Sequence, residues 1–448
     1  MTSSLGKQAI VIGAGMGGLA AAGALADYFE RVIVLERDTL PSDAEHRGGT
    51  PQARHVHVLL AGGERALESL FPGLTAALKQ AGAVPLRVGL DAHYEVPGYD
   101  PFPKRDLGWD VYSMSRPLVE YVVRQQLKKR HNVELRERCR VDAIVTTDAK
   151  GGEISGVRLA GGEGETLPAD LVVDASGRGA LTLAALQSTS SPVPAETKIG
   201  VDFAYATVVF SIPEDAPDDW KGVFTFPNAP ESGRGALMMP IEGDRWILSL
   251  GGAHGDGPPG DLDGFLAFAE KLRTPTIYRA VKGARPLAEA VRFAFPDSVR
   301  RHFERLDSFP RGLIPLGDAV CRFNPIYGQG MSVAAQEACA LRDLLAARAA
   351  APDPLDGLAQ AFFAAIQEVI DTPWATAAVA DFVYPQTRGE RPPDIENTLK
   401  FGVAMNRAAA RDANVHKLMY EVRQLLKPRS AYRDPAFVEQ VRAAMAEI

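Results

Sequence analysis

Three glycines spaced Gly13-x-Gly15-x-x-Gly18, with an acid at Glu36, are the residue types and spacing that can hold a dinucleotide. Gly13 permits a tight turn, Gly15 lets the backbone approach a pyrophosphate, and Gly18 allows close helix packing, while the amides of the following helix face the anion. Glu36 would take ribose hydroxyls, and Arg37 beside it joins the expected cofactor set. A second constellation repeats the device. Gly317-Asp318 ends a strand pattern, and Pro325-Ile326-Tyr327-Gly328-Gln329-Gly330-Met331-Ser332 leads into an alanine-rich helix. Asp318 can accept a hydroxyl of a ribityl chain, and the helix start presents free amides to a partly negative ring edge. Either motif alone is compatible with an ordinary turn. Together they point to a flavin rather than a nicotinamide.

These motifs need elements to hold them. Ala9 to Ile12 reads as a strand entering the glycine turn, the Ala/Leu-rich stretch after it as a helix, and Arg31 to Leu35 as a second strand, which completes a βαβ unit. Glu64 to Gln80 has the pattern of one helix, and Pro117 opens another that runs through Leu127. From Val133 to Val173 β-rich runs are divided by glycine clusters, including a hairpin turn at Gly162-Glu163-Gly164, which predicts an appended meander. Ile199 to Leu250 is strand after strand, a second, sheet-based domain, and the Gly/Pro-dense loop Gly251 to Gly260 marks a boundary. Ser308 to Ala319 and Met331 to Ala350 then return the chain to the first domain, and the segment beyond Pro385 is charged and helical, a packing or covering element.

At 448 residues the chain exceeds what one core organises, so at least two domains are expected. Its net charge of −7, with basic residues dispersed, offers no footprint for a nucleic-acid backbone. Cys139, Cys321 and Cys339 lie far apart and form no metal-ligand spacing, which suits a reduced cytoplasm, and no metal site is expected. The start lacks the regions of a signal peptide, and no eighteen-residue apolar run predicts an integral membrane span. A soluble, cytoplasmic protein follows.

Gly13–Gly18, Glu36, Gly317-Asp318 and the Gly328-x-Gly330 turn together resemble the single-component aromatic hydroxylase flavoproteins, over residues 8 to 385. Within that group, Pro51-Gln52-Ala53-Arg54-His55-Val56-His57, Val172-Val173-Asp174-Ala175-Ser176-Gly177-Arg178 and Pro385-Gln386-Thr387-Arg388-Gly389 resemble the bacterial polyether epoxidases, relatives of squalene epoxidase. The resemblance implies that Gly15, Met16 and Gly17 contact pyrophosphate, Glu36 the adenosine ribose, Asp318 the ribityl chain, and Gly330 with Met331 the ring. It also places Arg54 and Arg116 against FAD and Val141 at the adenine. The implied fold is α/β: a doubly wound, Rossmann-like FAD-binding domain (residues 1–82, 110–195 and 300–350), an inserted, mostly antiparallel β substrate domain (83–109 and 196–299), and a C-terminal helical region (351–448).

The implied activity is monooxygenation through a flavin C4a-hydroperoxide, with O2 as co-substrate and epoxidation of an alkene ahead of hydroxylation. The expected substrate is an apolar small molecule (polyene, isoprenoid or aromatic). Phe203, Tyr205, Phe224, Met238, Trp246 and Pro325 are expected to line its pocket, with Phe226 and Met239 in the same apolar stripe. No side chain is assigned a catalytic role. Ser176-Gly177 stands where relatives carry an Asp-Gly pair that helps dock NADPH, with the acid displaced to Asp174. The electron donor is therefore left between NAD(P)H and a separate flavin reductase. Ser332 replaces a frequent Asn and is expected to cap its helix. His55 and His57 read as hydrogen-bonded loop residues, and Lys79, at a helix end, as a solvated cation rather than a halogenase lysine. A flavin-dependent reductase or isomerase of prenyl chains and a non-catalytic flavin-binding protein remain as alternatives.

Overall fold

From Ala9 onward the strand Gly6–Ile12 is buried on both faces, as a parallel strand covered on each side must be. The computed structural model describes residues 4–147, 152–161 and 164–447. Among these residues, Gly6–Ile12 is central in a five-stranded parallel sheet, ordered Leu313–Pro315, Leu171–Asp174, Gly6–Ile12, Phe29–Leu35, Val133–Arg136. The chain winds outward in one direction from Gly6–Ile12, then returns to its other side with Leu171–Asp174. That reversal makes the carboxyl ends of these two strands a switch point, where open α/β sheets leave a crevice for ligands. The fold is the expected FAD-binding, Rossmann-like α/β arrangement with a further sheet and a helical C-terminal region.

The helix Met16–Leu25 covers the first sheet and is buried nearly all round, because the helices Arg116–Leu127 and Gly330–Ala347 lie against it. The single helix expected over Glu64 to Gln80 is broken into Ala61–Leu70 and Leu74–Gln80. Gly73 stands between them at φ +87°, and the Glu68 carboxylate accepts from the Gly73 and Thr75 amides, both at 2.7 Å, which secures the turn. Val141–Thr146, Ile154–Leu159 and Thr166–Pro168 form the three-stranded meander. Gly162 and Glu163 of the expected hairpin turn lie outside the described residues.

The second sheet has seven strands, ordered Cys321–Arg322, Val291–Arg301, Glu196–Ser211, Arg245–Gly252, Gly235–Ile241, Gly222–Thr225, Ala92–Glu95, antiparallel except for the last pair. Alternation along Glu196–Ser211 gives it two unlike faces. Ala206, Val208 and Phe210 pack with Met238, Trp246 and Leu248 under the helices Leu262–Glu270 and Thr276–Val281. On the other face, Met239 and Ile247 pack beneath the C-terminal helices Ile395–Arg411, Ala413–Arg423 and Pro435–Met445. No helix among the described residues is long and apolar enough to cross a membrane.

Candidate functional site

The Met16–Leu25 helix starts at Gly15 with no side-chain cap, so its first amides stay available to an anion. Gly13 has φ +99°, and a Cβ there would lie 2.7 Å from the Ala175 carbonyl oxygen. A Cβ on Gly18 would fall 1.9 Å from the Gly13 oxygen. Gly15 differs: its Cβ would meet only Arg116 Nη2, at 4.0 Å. Packing therefore demands the outer two glycines, whereas the middle one leaves room for something the chain does not supply. Gly17 faces Leu316 and Ala334, which ties this helix start to the strand and helix of the second motif, and the Met16 side chain is buried.

Glu36 is buried at the end of its strand, where its carboxylate accepts from the Ala14 amide (2.8 Å) and the Asp38 amide (3.1 Å) and pairs with Arg47 (3.1 Å). Arg47 also reaches Asp38 (2.9 Å) and Glu120 (3.4 Å), and Glu120 holds Arg116 at 2.8 Å. Burial opposes the charge on Arg47, but Glu120 and Glu36 outweigh it and hold the guanidinium protonated. Sequence reasoning missed Arg47, which lies in an irregular stretch with no motif around it. A cleft of about 360 Å3 opens here between Asp38, Pro41, His46 and Arg47. Exposed Arg37 follows Glu36 directly, and buried Val141 begins the meander strand just beyond Cys139, whose amide bonds the Glu36 carbonyl. Arg54 is exposed next to His55 and has no ion-pair partner among the described residues; burial, helped by its charge, lowers the pKa of His46 at this cleft.

The Gly330–Ala347 helix likewise starts without a side-chain cap, after Gly328 at φ +66°. Asp318 lines the space before it: a Cβ on Gly330 would lie 3.8 Å from Asp318 Oδ1, and nothing nearer. Asp318 is accessible to solvent, yet the cleft is deep enough that burial pushes its carboxyl upward, with Arg322 and Arg116 countering in part. Among the described residues this carboxylate accepts no hydrogen bond. Met331 is buried behind Gly330. The sequence did not announce Glu337, about two turns along the helix. Its Oε2 accepts from the Gly317 amide at 2.6 Å, its Oε1 has no partner, and burial, aided by Asp318, raises its carboxyl to about 8. Glu337 is thus a neutral acid at neutral pH, fixing the Gly317 turn, at φ +68°, that presents Asp318.

That assignment is testable. A folded pKa of about 8 against 4.5 in an unfolded chain means a contribution fully present below pH 4.5 and lost as pH rises through 8. Glu337→Gln, which cannot ionise, is expected to flatten the decline in stability between those values. Parallel wild-type and variant curves of denaturation midpoint against pH would count against a neutral Glu337.

The segment from His55 to Leu60 joins the second motif to the second sheet. His55 Nδ1 meets Thr207 Oγ1 at 2.7 Å, the Val56 amide donates to Ser249 Oγ at 3.2 Å, and the Leu60 amide donates to Ser332 Oγ at 3.0 Å. Ser332 is therefore a clamp on this segment, not the expected helix cap. Its hydroxyl lies inside the first turn, and the cap position belongs to Gln329. The His55 ring stands edge-on to Tyr205 at 4.5 Å, and Tyr205 continues to Phe203 and Phe293. Burial lowers His55 to about 4 and His57 to about 3, so both are neutral at neutral pH. Lys79 is an exposed cation over the Tyr112 ring.

Two expected pocket residues are misplaced by strand parity. Trp246 pairs with Phe210 and Met238 with Leu248, which puts both on the face turned away from the His55–Leu60 segment. Met239, one residue on, lies on the opposite face and packs beneath the C-terminal helices. Phe224 lies on the near face but stacks on Tyr94 under the C-terminal helices, at 4.6 Å, and Phe226 is exposed beyond it. Pro325 opens the turn Pro325–Tyr327, half-buried. Asp174 accepts from the amide and hydroxyl of both Ser176 and Thr182, so its oxygens are spent within its own loop.

The two uncapped helix starts lie against each other beside the switch point, through the contact of Gly17 with Leu316 and Ala334, with the acids Glu36 and Asp318 close to their respective starts. The FAD dependent oxidoreductase family profile matches residues 8–226. Protein Rv3254 of Mycobacterium tuberculosis is 34% identical over 366 residues, 78% of this chain and 75% of that protein. The chain belongs to the FAD dependent oxidoreductase family. Among solved structures, the flavin-dependent brominase Bmp2 superposes with TM-score 0.66 at 15% identity, over 99% of this chain and 100% of that one. The 2-methyl-3-hydroxypyridine-5-carboxylic acid oxygenase gives TM-score 0.59 at 18% identity, over 84% of this chain and 90% of the other. At such identities both show the fold alone. The residues present fit FAD: the open side of Gly15, the uncapped helix starts and the unbonded Asp318 carboxylate are all left unfilled by the chain itself.

Proposed function

We propose that this FAD-dependent oxidoreductase is a monooxygenase that inserts one atom of O2 into a small, largely apolar substrate, by epoxidation of an alkene or by hydroxylation. What supports oxygen insertion is the aromatic wall of Phe203, Tyr205 and Phe293 held against the His55–Leu60 segment, which is itself clamped to the start of the ring-side helix. Such a wall excludes water and fixes a carbon skeleton beside the cofactor, which is the protein's share of this chemistry. Bound and reduced, FAD supplies the activation of O2.

In this reading, the Gly15–Gly18 amides and Arg116 hold the diphosphate, Glu36 the ribose, Asp318 the ribityl chain, and the Gly330 and Met331 amides the ring edge. Arg54, Arg37 and Val141 flank the adenosine half. His55, Thr207 and Ser249 keep the segment rigid through hydrogen bonds that need no ionised imidazole. The electron donor is NAD(P)H, acting on the bound flavin directly or through a separate flavin reductase.

The expected result is a yellow protein that, once reduced without air and mixed with isotope-labelled O2, transfers one labelled atom into members of a panel of alkenes and electron-rich aromatics, read by mass spectrometry. Turnover that proceeds without O2 would replace this reading with a reductase or isomerase. Bound FAD with no turnover under any reductant would leave a flavin-binding scaffold.

A further inference from the structure

The helix Gln367–Asp381 ends at a carboxylate that the sequence did not single out. Asp381 is only 6% exposed. It lines a cavity of about 50 Å3 together with Phe203, His254, Ile326, Tyr327 and Tyr384, between the second sheet and the turn that precedes the ring-side helix. That volume admits a few waters or one ammonium head. Tyr327 donates its hydroxyl to Asp381 Oδ1 at 2.9 Å, and Asn324 Nδ2 lies 3.3 Å from both carboxylate oxygens. Both donors are neutral, and no cation pairs with Asp381 among the described residues. The neighbouring guanidinium groups are spent elsewhere: Arg388 pairs with Asp202, Arg234 pairs with Asp256 at 2.7 Å, and Arg391 donates to the Phe382 and Tyr384 carbonyls. Burial pushes His254 down and both tyrosines up, so all three are neutral, and His254 bonds Thr387 at 3.1 Å. Burial raises the Asp381 carboxyl to about 7, and Tyr327 and Asn324 lower it only in part. The rings of the cavity are uncovered as well. Arg322 lies over Phe295 and Arg391 over Phe382, whereas among the described residues no cation lies over Phe203, Tyr327 or Tyr384.

An ionised carboxylate in this cage has lost most of its hydration and gained no counter-charge, so it is costly until a cation completes it. Aromatic faces beside it attract the same kind of partner. We infer that Asp381, backed by Tyr327 and Asn324, anchors a protonated primary amine of the substrate against the Phe203, Tyr327 and Tyr384 rings. A metal ion fits less well: it needs several oxygen ligands, and among the described residues no group of three acidic, histidine or cysteine side chains could hold one. An ammonium needs only a few acceptors for its three donors and gains from the rings. This rests on reading the junction as the substrate site, and it narrows the substrate to an apolar skeleton that carries one ammonium group. No bond is made or broken at Asp381. Its part is orientation: with the head held in the cavity, the skeleton runs back along Phe203 to Tyr205 and Phe293, whose ring centroids follow one another at 5.9 and 5.6 Å.

The test uses the FAD-loaded full chain, with benzylamine as the probe, benzyl alcohol as its neutral counterpart and potassium chloride as the inorganic cation, each titrated by calorimetry. Wild type is expected to bind the amine about 10- to 150-fold more tightly than the alcohol above neutral pH, the scale of a hydrogen bond to a charged group. The amine stays protonated, so its affinity follows ionisation of the carboxylate: it should rise about tenfold between about pH 6 and about pH 8, while that of the alcohol stays level. Asp381→Asn should abolish both the preference and the pH dependence. Tyr327→Phe keeps the carboxylate but removes a bond that favours its charged form, so the rise in amine affinity should move to higher pH; this variant carries the test if the first does not fold. Equal binding of amine and alcohol, no binding of the amine, an amine affinity that is level with pH, or displacement of the amine by potassium each overturns the anchor. FAD content and O2 consumption by the reduced enzyme are read on the same samples: if they are normal, the anchor alone fails, whereas their loss in wild type counts against the monooxygenase reading.

Discussion

Asp318→Ala is expected to weaken FAD binding by about 10- to 150-fold, the equivalent of one hydrogen bond to a charged group at about 1.5–3 kcal/mol. The same substitution should leave the FAD-free protein at least as stable as wild type. Both halves follow from one arrangement. The carboxylate accepts no hydrogen bond among the described residues, so the fold loses none when it is removed, and burial already holds its carboxyl above the ordinary value. A folded pKa raised above the unfolded one means that the wild-type contribution is present at acid pH and declines as pH rises through the folded value. At neutral pH the alanine variant therefore sheds a burden. Asp318→Asn, which still accepts a hydrogen bond but without charge, should fall between the two. Titration of flavin-free protein with FAD measures the affinity, and the rise in melting temperature on FAD addition should shrink in step. An alanine variant that holds FAD as tightly as wild type would remove Asp318 from the cofactor site.

The amino-terminal motif was readable in the sequence because each of its demands is local. Gly13 needs its positive φ, and Gly18 lies against a carbonyl only five residues back. The strand end at Asp318 and the helix start at Gly330 were readable for the same reason, as neighbours along the chain. Arg47 was not, because its position is set by Glu120 on the distant helix Arg116–Leu127 and by the burial of both. Asp381 and Glu337 escaped for a related cause: an acid in a helical pattern looks solvated until the partner that buries it is known. Met238 and Trp246 show the limit of alternation. A period of two says which residues share a face, but the pairing of Phe210 with Trp246 decides which face turns toward the helices Leu262–Glu270 and Thr276–Val281. The break at Gly73 was in plain view as Pro72-Gly73, and the apolar spacing across it hid the left-handed turn.

Gly15→Val and Gly18→Ala should separate binding from folding. At Gly15 the backbone is extended, at φ −74° and ψ 177°, a conformation that any residue adopts, and the nearest atom to an added Cβ is Arg116 Nη2 at 4.0 Å. Valine there is expected to leave the melting temperature of the FAD-free protein unchanged. Its branches project into the space the diphosphate needs, so affinity should fall by about 5- to 150-fold, using 1–3 kcal/mol as the scale for forcing extra carbon into a filled site. At Gly18 the added Cβ would sit 1.9 Å from the Gly13 oxygen and 2.9 Å from its carbon, both backbone atoms. No rotamer relieves that contact, so the helix must shift off the first strand, and the FAD-free protein should lose about 1–3 kcal/mol or more of stability along with its cofactor. If valine at Gly15 destabilised the empty protein as much as alanine at Gly18, the middle glycine would be a packing residue like its neighbours. The open side of Gly15 would then have no claim on a ligand, and the convergence of the two helix starts would lose its chemical meaning.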